Sequence, residues 1–220
     1  VAEYGVIFDV DGVLVDSGPP HRESWYRLAR EVHLPMSSDL RVRDEFFART
    51  FGRTNKDTLE ALFARELPEA EWRRLGDRKE ELYREIVRGR VPAMPGAVEL
   101  VEALAADGAR LAVGSSGPRE NIELCLDEMG IRERFDTVIT GDCVTRGKPD
   151  PQVFLLAAEG LGLEPGRCVV IEDAVAGVEA AKRAGMRAVA LTSSHPHESF
   201  PHADLVVDSL RELSPSWLTP

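Results

Sequence analysis

The chain has 220 residues, 43% hydrophobic and 30% charged, with a formal net charge of −11. That size and apolar content suffice for a large buried core. The acidity disfavours a surface built for nucleic-acid backbones or anionic membranes, which demand a basic footprint. Small anionic substrates stay open, because one lysine or a bound divalent cation can reverse the field inside a cleft. Cys125, Cys143 and Cys168 are too few and too scattered for a disulfide framework or a zinc site. Cys125 and Cys168 sit in apolar runs and read as buried fillers. The chain starts directly on a strand pattern, without a basic leader. No apolar run approaches the ~18 residues of a membrane span, so a cytoplasmic location without membrane or nucleic-acid partners is expected.

In chain order, the first element is the apolar run Gly5-Val6-Ile7-Phe8, followed at once by Asp9-Val10-Asp11-Gly12. Two carboxylates at the end of a buried strand are costly unless a metal or a reaction uses them. From residue 17 to 91 the rhythm changes to helical patterns at 22–32, 54–66 and 69–88, dense in Arg and Glu. The run Arg78-Lys79-Glu80-Glu81 reads as solvated surface pairs. Residues 17–91 are therefore expected to form a helical insert, and residues 1–16 and 92–220 the core.

Further apolar runs follow at Leu111-Ala112-Val113-Gly114, Thr137-Val138-Ile139, Cys168-Val169-Val170-Ile171, Ala188-Val189-Ala190-Leu191 and Leu205-Val206-Val207. They are short and lack polar alternation, as strands buried on both faces do. Helical patterns at 97–106, 119–129, 151–161 and 174–184 alternate with them, and glycines follow these helices at C-cap positions. The alternation predicts an α/β fold, a Rossmann-like parallel sheet core with an inserted all-helical cap domain. The stretch 192–202 reads as a surface loop and not a metal site.

Chemistry-bearing residues fall at strand ends: Ser115-Ser116-Gly117, Lys148-Pro149 before a helix, and Glu172-Asp173. Each alone has a bland reading as a turn, a loop lysine or a helix cap. Strand ends of one parallel sheet share a rim, so together they predict one cleft. Clustered carboxylates need a counter-ion. Hard oxygen ligands without His or Cys favour Mg²⁺. Lys148 and the donors at Ser115 and Ser116 suit a phosphoryl group, whose transfer asks mainly for positioning and charge neutralisation.

With their order and spacing, the segment from Asp9 to Ser17, Ser115, Lys148-Pro149 and Glu172-Asp173 resemble the four signature motifs of the haloacid dehalogenase superfamily. Within it the chain is similar to the β-phosphoglucomutase and phosphoglycolate phosphatase branch. The resemblance implies Asp9 as nucleophile forming an aspartyl-phosphate and Asp11 as general acid and base. It implies Ser115 and Lys148 as phosphoryl contacts, and Mg²⁺ on Asp9, the Asp11 carbonyl and Asp173, with Glu172 in or beside that shell. It also implies that the helical insert is a cap setting substrate choice. An acid at Asp11 argues against dehalogenation, where halide leaves unprotonated, and against a Schiff-base role for Lys56. His21 stands where the mutase-like branch has a histidine. Asn55 stands where an arginine gripping a distal phosphate is expected, and Arg53 is a possible substitute. The expectation is a Mg²⁺-dependent phosphatase of a small phosphorylated metabolite. A β-phosphoglucomutase is the alternative, and a non-catalytic binding protein a remoter one.

Overall fold

A computed structural model describes residues 4–34, 45–47 and 54–219. The chain divides into two compact units, one formed by Val1–Ser17 and Gly89–Pro220, the other by Gly18–Arg88. Among the described residues the first unit holds six strands: β1 (Gly5–Phe8), β2 (Arg110–Gly114), β3 (Thr137–Ile139), β4 (Cys168–Glu172), β5 (Arg187–Leu191) and β6 (Leu205–Val207). They form one sheet in the order β3-β2-β1-β4-β5-β6, and every neighbouring pair is parallel. Ile7 pairs with Ala112 on one side and Val170 on the other. Every residue of the central strands β1 and β4 is buried, which is why their sequences are apolar throughout and do not alternate. The strand order reverses direction between β1 and β4, and parallel α/β sheets bind ligands beyond the strand ends at such a switch point.

The second unit contains α1 (Gly18–Glu31), α2 (Asn55–Phe63) and α3 (Glu69–Val87). Helix α1 starts four residues before the expected 22, because Pro19 and Pro20 occupy a first turn whose N–H groups have no intrahelical partner in any case. Thr54 caps α2, its side chain accepting from the Asp57 N–H at 3.1 Å. Trp25, Leu28, Leu59, Leu75 and Leu82 are buried between these helices. The run Arg78-Lys79-Glu80-Glu81 is only half a surface feature. Arg78 pairs with Glu31, Glu81 and Glu85 at the surface, whereas Lys79 and Glu80 are 3% and 8% exposed. At 3.6 residues per turn, four consecutive residues spread over about 300° of the helix circumference. A charged run that long therefore had to turn part of itself inward.

Back in the first unit, α4 (Ala97–Asp107), α5 (Arg119–Glu128), α6 (Gln152–Leu161) and α7 (Val175–Arg183) cover the sheet. Helix α6 packs on β1, β2 and β3, and α7 on β4 and β5. The buried face of α6 carries Val153, Phe154, Ala157, Ala158 and Leu161, a spacing that lines one side of a helix. A Cβ on Gly114 would stand 2.9 Å from the Phe154 ring, so β2 needs glycine there to admit the helix. Cys125 and Cys168 are buried thiols, not disulfides. Among the described residues, no helix is long and apolar enough to cross a membrane.

Candidate active site

Residue Asp9 follows β1 and continues its ladder, donating its N–H to the Ile171 carbonyl at 3.0 Å. Its carboxylate is nearly buried, and Lys148 Nζ donates to its Oδ1 at 2.6 Å. The same ammonium donates to Glu172 Oε1, also at 2.6 Å. Glu172 ends β4 at 1% exposure. Its other oxygen, Oε2, accepts the N–H groups of Asp173 and Ala174 at 2.8 and 2.7 Å. These lie at the start of α7, where orphan N–H groups and the helix dipole favour an anion. A Cβ on Gly177, one turn along, would stand 1.8 Å from Glu172 Oε1, so the helix makes room for this carboxylate by carrying no side chain there.

Neighbouring Asp173 is also buried, and ligand oxygens of Asp9, Glu172 and Asp173 lie within 4.8 Å of one another. Asp173 Oδ2 accepts from the Ser194 hydroxyl. Gly12 has a φ of +75°, a region favourable to glycine, and a Cβ there would stand 2.0 Å from Asp173 Oδ2. Gly12 thus serves both the turn of the chain and the close approach of the acid.

The electrostatics of this cluster disfavour bare, fully ionised carboxylates and favour a bound cation or retained protons. Burial pushes the Asp9 carboxyl well above its usual range; Lys148 counters this, while Glu172, Asp173 and Asp11 add to it. Burial, and then Glu172, push Asp173 up to about 7. Burial also works against charge on Lys148, but Asp9 and Glu172 outweigh it and hold the lysine above its ordinary range. Three carboxylates and one ammonium leave two net negative charges when ionised (3 − 1 = 2), the charge one divalent cation neutralises. All three ligands are hard oxygens. Opposite oxygens around Mg²⁺ at about 2.1 Å stand about 4.2 Å apart, so the 4.8 Å cluster has the right scale. The residues present fit that ion.

The turn after β2 forms another side of the site. Ser115 is buried, and its Oγ accepts the Gly117 N–H at 3.2 Å. Ser116 is exposed. A Cβ on Gly117 would stand 3.4 Å from Asp11 Oδ2, which puts the Asp11 carboxylate beside this turn. A Cβ on Gly141 would meet the Ser116 carbonyl at 2.4 Å, so the segment after β3 buttresses it from outside. The strand ends thus bring Asp9, Asp11, Ser115, Lys148, Glu172 and Asp173 to one rim.

Residues 5–185 match the family model described as haloacid dehalogenase-like hydrolase. The chain belongs to that family. It is similar to validoxylamine A 7'-phosphate phosphatase of Streptomyces hygroscopicus subsp. limoneus, at 36% identity over 218 residues and 94% of each chain. It is also similar to the β-phosphoglucomutase of Bacillus subtilis, at 31% identity over 216 residues, covering 95% of this chain and 91% of that one. Among solved structures, CbbY from Rhodobacter sphaeroides in complex with xylulose-(1,5)bisphosphate matches with a TM-score of 0.83 and 28% identity, covering 100% of both chains.

In this haloacid dehalogenase-like enzyme the two described candidates from the helical unit share one network. Lys79 Nζ lies 2.7 Å from His21 Nδ1 and donates to Glu80 Oε1 at 3.0 Å. Asn55 Nδ2 donates to the same Glu80 oxygen at 2.8 Å. The His21 ring stacks on Tyr83 with centroids 4.2 Å apart. Burial opposes charge on Glu80, but Lys79, His21 and Asn55 together hold its carboxyl below the usual range. Lys56 is exposed, 3.9 Å from Glu60. Arg53 lies outside the described residues. Sequence reasoning missed Lys79, Glu80, Gly177, Ser193 and Ser194. The stretch 192–202, read as a plain surface loop, sends two hydroxyls into the site. Their signal was the one used for Ser115: hydroxyl residues directly after a strand of the same sheet.

Proposed function

We propose that the protein is a Mg²⁺-dependent phosphatase of a small phosphorylated metabolite, a sugar phosphate or similar polyol phosphate, working through an aspartyl-phosphate on Asp9. The observation that carries this reading is the position of Lys148. Its ammonium binds Asp9 Oδ1 at 2.6 Å at the edge of a buried carboxylate cluster. A phosphoryl group brought to Asp9 would meet a fixed positive charge and the Ser115 turn on arrival. The names of the relatives, which act on phosphorylated carbohydrates and related compounds, support the substrate class.

Asp9 attacks phosphorus while Asp11 gives its proton to the departing alcohol oxygen. The bond from phosphorus to that oxygen breaks as the bond to Asp9 forms. Asp11, now ionised, takes a proton from water, which attacks phosphorus and frees Asp9 and inorganic phosphate. Lys148 and Ser115 hold the phosphoryl oxygens throughout. Asp9, the Asp11 carbonyl and Asp173 would hold Mg²⁺, with Glu172 in or beside its shell. When bound, the ion would neutralise the carboxylates and the phosphoryl charge. We assign substrate choice to the helical unit inserted between β1 and β2. Asn55 is engaged by Glu80 and stands where a distal-phosphate arginine would be expected, which favours hydrolysis over phosphoglucomutase action.

Phosphate release from a panel of sugar phosphates with Mg²⁺ tests the proposal. Wild type should turn over, and Asp9→Asn should be silent while circular dichroism shows that it still folds. Glucose 6-phosphate accumulating from β-glucose 1-phosphate and a trace of bisphosphate, without free phosphate, would establish the mutase instead. Silence of the wild type across the panel would favour a binding protein.

A further inference from the structure

Two hydroxyls that follow β5 reach across the molecule. Ser193 Oγ donates to the Gly12 carbonyl at 2.6 Å, a partner 181 positions away, and stands 3.4 Å from Asp173 Oδ2. Ser194 Oγ donates to Asp173 Oδ2, 21 positions away. Serines in ordinary turns bond backbone groups a few residues off; these two do not. A hydroxyl has one proton, so Ser193 commits its own to Gly12, the shorter contact, and Ser194 commits its own to Asp173. Gly12 leaves the Cβ position empty, with Asp173 Oδ2 at 2.0 Å from it and Ser194 Oγ at 3.2 Å. The turn after β1, the end of β4 and the loop after β5 therefore interlock at one point.

We infer that Ser193 and Ser194 are positioning residues with separate tasks. Ser194 orients the Asp173 carboxylate as a cation ligand, and Ser193 holds the Gly12 carbonyl and with it the turn that carries Asp11. This rests on the reading of the carboxylate cluster as the Mg²⁺ site. The donor fixes Asp173 without consuming it, because a carboxylate offers about four lone-pair sites and one hydroxyl takes one. Outer partners of metal ligands typically contribute about 10- to 100-fold to affinity. The Gly12 contact instead fixes backbone one residue from Asp11, which supplies both the proton-transfer carboxyl and a carbonyl of the proposed cation shell, so its loss should fall on proton transfer as well as on the cation.

The test is Mg²⁺ titration calorimetry on the metal-free full chain, together with kcat at saturating Mg²⁺ on a generic aryl phosphate. Circular dichroism and melting of each variant confirm the fold. Ser194→Ala should weaken Mg²⁺ binding about 10-fold or more while keeping most of kcat once Mg²⁺ saturates, and Ser194→Thr should restore binding. Ser193→Ala should lower kcat even when Mg²⁺ saturates, in contrast to Ser194→Ala, because the turn that carries the Asp11 carboxyl is no longer held. A folded Ser194→Ala that binds Mg²⁺ as tightly as wild type overturns the inference and leaves the metal reading standing. Equal loss of both properties in both variants, without rescue by Thr, reduces the pair to loop support and also overturns it. A wild type that takes up no Mg²⁺ overturns the metal reading itself, and this inference with it.

Discussion

Replacing Gly177 with alanine sets helix propensity against packing at the proposed site. On an exposed helix the change favours folding by about 1 kcal/mol. Here the new Cβ would stand 1.8 Å from Glu172 Oε1, 2.0 Å from Cδ and 2.5 Å from Oε2. The colliding head group cannot swing aside cheaply. It is 1% exposed and held by Lys148 and by the N–H groups of Asp173 and Ala174. Hydrogen bonds to a charged group contribute about 1.5–3 kcal/mol each, and breaking a buried ion pair costs about 3–5 kcal/mol. These figures describe the same groups and overlap, so the net loss after the propensity gain is about 2–4 kcal/mol. For a chain of this size that lowers the melting temperature by about 5–15 °C. Urea midpoints and melting of Gly177→Ala should be read beside Gly166→Ala, whose new Cβ meets nothing within 4 Å and which should stay within about 0.5 kcal/mol of wild type. Phosphate release should fall about 100-fold, because Lys148 loses one of its two anchors and misplacement by about 1 Å costs that much. A Gly177→Ala protein as stable and as active as wild type would refute the placement of Glu172 against α7.

Two further outcomes follow from the charges. Asp173, ordinarily near 3.8, is pushed up to about 7, and Asp9 is raised too. The metal-free native state thus keeps protons that the unfolded chain releases. The stability this supplies is fully present below the unfolded value and is lost as pH rises through about 7. Protons and cation compete for the same carboxylates, so the melting shift on adding Mg²⁺ should be larger at pH 8 than at pH 5; equal shifts would count against a shared site. In the helical unit, Lys79→Met should cost about 3–5 kcal/mol by stranding the buried Glu80. Arg78→Ala should cost about 1 kcal/mol or less, although Arg78 has three carboxylate partners. Urea midpoints in the reverse order would show that burial does not rank these charges.

Much of the fold was legible because a strand buried on both faces has few alternatives. The runs at 137–139 and 205–207 were placed to the residue, and the others within one position at each end. The rim at which Asp9, Lys148 and Glu172-Asp173 meet was legible for a related reason, since parallel strands all end on one side. Ser193 and Ser194 were not, because serines after a strand are common in plain turns and only the partner they reach distinguishes them. Lys79 and Glu80 hid inside a charged run that periodicity could not divide without knowing which face of α3 meets α1. Gly177 did leave a trace: glycine inside a helix costs about 1 kcal/mol and so calls for a packing reason, which sequence could flag but not name.

By itself, then, the sequence determined the order of elements, the parallel sheet and the residue types that suit phosphoryl chemistry, because these follow from local periodicity and from side-chain chemistry. Only the tertiary structure decided how the two faces of each carboxylate are used. Glu172 divides its oxygens between Lys148 and the start of α7, and Asp173 rests over Gly12 with Ser194 on one oxygen. The reason is distance along the chain. Contacts spanning 21 to 181 positions depend on where whole strands come to lie, and no local pattern carries that information.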